Sequence, residues 1–343
     1  NISYPQYKWS DTRKWLLKHR RTVPERVLAR TASLRHGRFH WVNIRGMEQH
    51  WQMAEVDARL VPNTNILKVR TRNATRLTLN PPQKIDSLVI DDTQLGIGDD
   101  ANLARPIRLR RVAEATWALA APSPTTGPAA EATRPKLRKV HGQSGPIWDF
   151  CYNKVVAVYG TGGGDSRTAA LKSIASWARR LDVAWGDQPW PVVADTEVTE
   201  AQKRDCNLIL VGTAETNRLL AEGEWPFEVS GRKLPAIPAA RKAGKHSLLY
   251  FIYPSPFARG RYVYVIRPLN DELPPTALPP ADTWNALTWA DWAVVEFRRQ
   301  EWRGSTFWRA RTLADGVFDN AWKPGRLDGR SIRPRYMNWE RDD

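Results

Sequence analysis

The residues best placed for chemistry form a glycine-rich turn after an apolar run. Val155 to Tyr159 are continuously apolar, and the next five residues contain four glycines before Asp165. A turn of this kind between a buried strand and a helix lets backbone amides approach a phosphate. A dinucleotide fingerprint, however, needs a third glycine where this chain has Asp165, and no Lys-Ser or Lys-Thr pair follows as in a Walker motif. We interpret the turn as structural, keep nucleotide binding as the alternative, and predict no cofactor.

Any ligand of an open α/β sheet is expected at the carboxyl ends of the parallel strands. In this chain those ends correspond to 160–165, 195–199 and 212–215. The candidate ligand-binding residues of this loop cluster are Gly160, Thr161, Gly162, Gly163, Asp165, Asp195 and Thr213.

Acyl transfer is the second chemistry that the residue types allow. A serine hydrolase presents its nucleophile in a Gly-x-Ser-x-Gly turn. Ser144 and Ser166 each lie near a glycine, but neither has the second glycine in place. The side chains that would have to complete a triad are His141, His246, Asp149 and Asp195. No spacing determines such a geometry, so no catalytic residue is assigned within the chain.

A short acidic motif, ADTEVTE, offers a further pair of carboxylates. Asp195 and Glu197 would suit general acid–base chemistry, but two acids with one residue between them more often precede a helix. Thr199 is then the expected N-cap.

Metal and disulfide chemistry find little support. His36, His40 and His50 fit no common zinc spacing and are interpreted as surface or edge residues. Cys151 and Cys206 are the only cysteines and are interpreted as buried small apolar residues. No metal site is predicted.

Composition restricts the partners. The chain has 343 residues and a net charge of +16, but its lysines and arginines are spread along its length rather than gathered in one block. A solvated basic surface is therefore favoured over nucleic-acid binding. No apolar run reaches the roughly 18 residues of a membrane span. The 17 tryptophans could form a carbohydrate-binding surface, although core packing is the favoured interpretation.

Four segments would position these residues. Residues 1–25 hold a short helix whose apolar side chains need a partner, and 26–120 show short alternating runs typical of a β-sandwich. Residues 121–138 are rich in Pro, Ala and Thr and predict a linker. Residues 139–343 predict a Rossmann- or flavodoxin-like three-layer α/β domain, with Ser166 capping its first helix.

Several stretches resemble a known family. The runs KVHGQSGPIWDF, VVAVYGT, ADTEVTE, NLILVGTAETNRLL and YPSPFARGRYVYV are similar to the region behind the hydrolase domain in large bacterial prolyl oligopeptidase-type and related α/β-hydrolase serine peptidases or esterases. The first residues fit as well, because Tyr4-Pro5 and the helix WSDTRKWLLKHRR resemble the end of such a hydrolase domain.

The resemblance implies an accessory role. The triad order in these hydrolases is Ser, then acid, then His, so all three would precede Asn1. The chain, which does not begin with Met, is then expected to be a fragment or a processed product. Its implied partners are an upstream or separately cleaved α/β-hydrolase domain and the peptide or ester substrate of that domain. A secreted or periplasmic location is favoured.

Overall fold

Three β-sheets dominate the protein. The computed structural model describes residues 9–19, 22–97, 106–120, 137–178, 190–273, 290–302, 305–325 and 327. Two five-stranded sheets come first, and a seven-stranded mixed sheet with few helices follows. In these ranges no helix has the length and apolar character needed to cross a bilayer.

The first helix, α1 (Trp9–Lys18), has Asp11 in its first turn and Lys18 in its last, which suits the helix dipole. Its apolar side chains are not covered: Trp15, Leu16 and Leu17 are 59%, 57% and 74% exposed. A surface helix normally buries such residues against a neighbour. The helix predicted within 1–25 is therefore present, and the side chains of Trp15, Leu16 and Leu17 lie in solvent.

Ten strands form the next two sheets. They are β1 (Arg26–Thr31), β2 (Arg38–Phe39), β3 (Val42–Met47), β4 (Ala54–Leu60), β5 (Ile66–Arg72), β6 (Ala74–Leu79), β7 (Ser87–Ile90), β8 (Thr93–Gly96), β9 (Ile107–Ala113) and β10 (Thr116–Leu119). One sheet has the order β1-β4-β5-β7-β8 and the other β10-β9-β6-β3-β2. All pairs are antiparallel except β5 with β7.

These strands form where the sequence alternates. In β1, Val27, Ala29 and Thr31 are buried while the residues between them are exposed, and β4 repeats the pattern. The inward residues of both sheets build one hydrophobic core. The predicted N-terminal pair of sheets is thus confirmed, because period-2 patterning determines which face of each strand is buried.

The C-terminal sheet contains seven strands. They are β11 (Val155–Tyr159), β12 (Val192–Ala194), β13 (Asn207–Val211), β14 (Ser247–Pro254), β15 (Tyr262–Pro268), β16 (Trp292–Trp302) and β17 (Ser305–Gly316). Their order is β12-β11-β13-β15-β14-β16-β17. The first four are mutually parallel, and the last three add antiparallel. As expected from its continuous apolar sequence, β11 is a parallel strand between two others.

Within the described residues this part has few α-helices. They are α2 (Asp165–Ala178), α3 (Glu200–Asp205), α4 (Arg218–Glu222) and α5 (Pro238–Arg241). Leu171 and Ile174 of α2 are buried in the core of the mixed sheet. The expected cap of α3 is confirmed, since Thr199 and Gln202 form a reciprocal capping box.

The structure corrects the expected cap of α2 and bears out the predicted α/β domain only in part. Helix α2 begins at Asp165, so Ser166 lies inside its first turn rather than capping it. Apart from α2, the described helices of this part span only four to six residues, and the described chain does not show a three-layer Rossmann- or flavodoxin-like arrangement. Strand β17, which no pattern in the sequence predicts, pairs with β16 along its whole length. Most of the predicted linker, 121–136, lies outside the described residues.

A buried ion pair lies at the edge of the C-terminal core. Lys139 and Asp291 are fully buried and hydrogen-bonded to each other, and the Phe318 amide donates to Asp291 Oδ2 at 2.8 Å. Burial lowers the pKa of Lys139 and raises that of Asp291, while their mutual attraction opposes both shifts. Removing one member of such a pair is strongly destabilising, because the other charge would then be buried without a counter-ion.

Replacing one partner should therefore destabilise the protein strongly. We expect Lys139→Met to lower the free energy of unfolding by about 3–5 kcal/mol, because it leaves the Asp291 carboxyl buried without its counter-ion. Urea denaturation measures this. Lys245→Met, which breaks the exposed pair with Glu272, is the matched control and should change stability by less than about 1 kcal/mol. A loss for Lys139→Met no larger than the control's would contradict the argument.

Candidate functional site

The segment that follows Lys139 joins the two-sheet part to the mixed sheet. Its Asp149 carboxylate is buried and binds both sides: Arg35 Nε of the two-sheet part donates to Oδ1 at 2.6 Å, and the Tyr262 hydroxyl of β15 donates to Oδ2 at 2.6 Å. The Gly145 amide in turn donates to the Tyr262 oxygen at 3.1 Å. The three side chains therefore form one continuous polar connection across the junction.

The electrostatics of this connection keep Arg35 charged and Tyr262 neutral. Burial opposes the charge of Arg35, but the hydrogen bond and charge of Asp149 outweigh it and raise the pKa of the guanidinium. Burial and the same carboxylate raise the pKa of Tyr262 well above its usual range, so the phenol stays neutral and donates. Arg35 Cζ also lies 4.2 Å from the centre of the Tyr152 ring, and this cation–π contact helps to orient the guanidinium.

A cavity of about 570 Å³ opens beside this connection. Its walls come from both sides of the junction and expose mainly apolar surface, and the charged side chains that line it are Arg30, Arg35 and Asp149. The lining side chains that matter for a ligand are Trp51, Met53, Pro146, Trp148, Tyr152 and Arg35. Concave, largely apolar sites with a few fixed polar groups are the usual form of small-ligand pockets.

A second polar contact closes the same junction. His50 is buried, its Nε2 lies 2.8 Å from Asn320 Oδ1, and Asn320 Nδ2 donates to the Met47 carbonyl at 2.7 Å. This corrects the interpretation of His50 as a surface residue; His36 and His40 are exposed as expected. Burial, reinforced by the nearby charge of Lys139, lowers the pKa of His50 to about 3.

This shift predicts acid sensitivity with a definite sign. The folded-state pKa lies below the ordinary 6.5, so the contribution to stability is present above pH 6.5 and is lost as the pH falls toward 3. Between pH 7 and 4.5 the wild type should lose roughly 2–3 kcal/mol more unfolding free energy than His50→Gln. Denaturant titrations at both pH values test this. The exposed variant His36→Gln should keep the wild-type acid sensitivity; equal profiles for all three proteins would disprove the assignment.

The structure does not bring the candidate triad residues together. Ser144 Oγ is buried and has no hydrogen-bond partner among the described residues, while His141 Nδ1 contacts the Leu34 carbonyl at 3.0 Å. The Asp149 carboxylate is occupied by Arg35 and Tyr262, as described above. His246 Nε2 lies 3.8 Å from Glu272. Ser166 is exposed at the start of α2. Within the described ranges these serines, histidines and acids therefore belong to separate local networks.

The glycine turn, by contrast, does assemble with the other strand ends. The Gly162 amide donates to the Thr216 carbonyl at 2.9 Å, so 160–164 packs directly on the turn 213–217 that follows β13. An added Cβ at Gly162 would lie 2.5 Å from the Glu215 carbonyl oxygen, and one at Gly160 would overlap Thr216. The glycines are thus required for a close approach of two backbone segments.

Asp195 ties the same loops together. It is 3% exposed, and its carboxylate accepts hydrogen bonds from the Thr161 amide, the Thr161 hydroxyl and the Arg218 amide at 2.8–3.1 Å. The predicted ligand-loop residues therefore meet at one sheet edge, with the polar groups of Asp195 and Thr161 paired to each other. Thr213 is buried beside them, whereas Gly163 and Asp165 are exposed.

The turn 213–217 has its own anchor. Glu215 accepts hydrogen bonds from the Ser230 hydroxyl at 2.6 Å and the Gly231 amide at 2.7 Å. Burial would raise its pKa, but these hydrogen bonds prevail and lower it to about 2. Because this turn occupies 213–217, α4 starts only at Arg218.

Gly162→Ala tests the packing role of the glycine turn. We expect a loss of about 1–3 kcal/mol in unfolding free energy, because the new methyl group would press on the Glu215 carbonyl. Thermal or urea unfolding measures it. Gly96→Ala, where an added Cβ meets nothing within 4 Å, serves as the control and should be nearly neutral. Two equal, near-zero effects would show that the turn relaxes freely.

No metal centre is found among the described residues: they contain no group of three or more His, Cys, Asp or Glu able to hold an ion. Within the described residues Cys151 and Cys206 form no disulfide, and both are only partly buried, so the expectation that both are buried is met in part. Arg35, Tyr262 and Asn320 were not singled out from the sequence. Nothing in a single sequence marks an arginine or asparagine that pairs across a junction.

Comparisons with known proteins give no relative for this chain. No family model, no curated protein and no solved structure matches it.

Proposed function

We propose that this chain is a non-catalytic portion of a serine hydrolase of the prolyl oligopeptidase type or a related α/β-hydrolase peptidase or esterase. In this role it forms a rigid platform that binds or guides peptide or ester substrate for a separate catalytic domain. The observation that carries the proposal is the aromatic cavity at the junction. The resemblance of KVHGQSGPIWDF and the following runs supplies the family.

The location of the cavity suits a binding role. Its walls belong to two β-structured parts held together by the Arg35–Asp149–Tyr262 connection and by the His50–Asn320 contact. A site held by packed strands and buried hydrogen bonds loses little entropy on binding. Trp148 and Tyr152 provide flat apolar surface of the kind that stacks on proline or aromatic side chains.

Helix α1 supports the attachment to another domain. Trp15, Leu16 and Leu17 present apolar surface to solvent, and burying such surface is the main driving force for association. A hydrolase domain packed on this helix would cover them.

We also propose that the mixed sheet contains a flavodoxin-like unit. The strand order β12-β11-β13 places the second parallel strand outside the first and the third on its other side, as in a flavodoxin-like 2-1-3 winding. We attribute the parallel half of the sheet to such a unit, extended by the antiparallel strands β14, β16 and β17. The glycine turn and the turn 213–217 would then lie at its topological switch point.

The alternative of nucleotide or polyanion binding is less well supported at the glycine turn. The two loops that would have to admit a phosphate pack on each other, and Asp195 binds between them. These contacts argue only against the glycine turn as a phosphate site. Polyanion binding at the basic surface remains the alternative.

Binding without turnover is the test. A blocked proline-containing peptide should quench tryptophan fluorescence saturably, and Trp148→Ala should weaken its binding at least about tenfold through loss of stacking surface. A fluorophosphonate probe should label no serine and the peptide should stay intact. Leu234→Ala, an exposed apolar residue away from the cavity lining, is the matched control and should bind like wild type.

Two results would overturn this proposal. Stoichiometric labelling of any serine in the chain would show that catalysis resides here. Failure of the peptide to bind, with the protein folded by circular dichroism, would remove the cavity as a substrate site.

A further inference from the structure

The outer face of the first sheet carries an unusual array of cations. On β1, β4 and β5 the outward positions form three cross-strand rows: Arg26–Arg59–Lys68, Leu28–Asp57–Arg70 and Arg30–Glu55–Arg72. We call the six basic members the arginine face; they are Arg26, Arg30, Arg59, Lys68, Arg70 and Arg72. All six are exposed, and only two acids lie among them.

The acids neutralise only part of this charge. Asp57 binds Arg26 through two hydrogen bonds of 2.9 and 2.8 Å, and Glu55 lies 3.0 Å from Arg30. No ion pair within the described residues involves Arg59, Lys68, Arg70 or Arg72.

The first row is only partly compensated, because Asp57 pairs with Arg26 and its charge also acts on Arg59. Arg26, Arg59 and Lys68 are directly opposite one another on neighbouring strands, and like charges in this position destabilise a sheet. A bound polyanion would remove the repulsion.

The spacing along β5 indicates the form of that anion. Lys68, Arg70 and Arg72 occupy alternate positions of one strand. Their side chains therefore form a column with a spacing of about 6.6 Å. An extended peptide repeats its own alternate side chains at the same interval. Acidic residues at every second position of such a peptide would each face one cation, and arginine forks bind carboxylates bidentately.

We infer that the arginine face binds an extended acidic peptide segment with carboxylates at alternate positions. The face contains no aromatic side chain at its outward positions on β1, β4 and β5, so it has no surface on which nucleic-acid bases would stack. Arg30 also lines the junction cavity, so the row Arg30–Glu55–Arg72 is the end of the face that adjoins it. The inference stands on the charge array and does not require the proposed function.

Fluorescence anisotropy with two labelled peptides tests the inference. In one peptide glutamate and threonine alternate, and in the other the same residues are grouped in blocks. We expect the alternating peptide to bind about tenfold more tightly at low salt and to weaken as salt is added. The double variant Arg70→Gln/Arg72→Gln should lose about tenfold in affinity. Arg298→Gln/Arg311→Gln, which removes two exposed arginines from β16 and β17, is the charge-matched control and should lose less than about twofold.

Other outcomes would overturn the inference. Equal affinity for both peptides would refute the matched spacing, and equal losses in both double variants would reduce the effect to net charge. Tighter binding of duplex DNA, or of phosphatidylserine vesicles, than of the alternating peptide would assign the face to a different polyanion. Because these variants leave the cavity lining at Trp148 unchanged, failure here is distinguishable from failure of the proline-peptide experiment.

Discussion

The structure depends on a short segment, 139–149, whose buried charges bind the mixed-sheet part at its start and both bodies of β-structure at its end. Lys139 pairs with Asp291 at its start, and Asp149 binds Arg35 and Tyr262 at its end. Burying these charges is unfavourable unless every partner is in place. The segment therefore specifies one relative arrangement of the two parts, and the cavity exists only in that arrangement.

Two glycines allow backbone segments to pack closely on neighbouring groups. Gly145 lies where any side chain would overlap the Asp291 carboxylate, and Gly162 lies against the carbonyl of Glu215. In both places the missing Cβ lets the backbone pack closely, and the glycine amides donate to Tyr262 Oη and to the Thr216 carbonyl. Packing thus explains the glycine-rich turn. Asp195 fixes the turn further, because it accepts hydrogen bonds from the Thr161 amide and the Thr161 hydroxyl.

The two candidate surfaces differ in physical character. The junction cavity is apolar, partly enclosed and held by buried hydrogen bonds, so it suits a hydrophobic group. The arginine face is flat, exposed and cationic, so it suits a charged chain whose binding weakens with salt. Because Arg30 belongs to both surfaces, a single extended ligand could contact both of them. Helix α1 provides a third surface, apolar and exposed, of the kind that another domain would cover.

The sequence alone determined the local features. Alternating residues specified which face of β1 and β4 is buried, the continuous run 155–159 specified a parallel interior strand, and Thr199 with Gln202 specified the start of a helix. Each depends on residues a few positions apart, and such patterns are legible in one chain. Only the tertiary structure decided that Arg35 meets Asp149, that His50 is buried against Asn320, and that β17 completes the sheet. Those partners are 114 and 270 positions apart for the first two contacts, and no local pattern selects one distant polar residue over another.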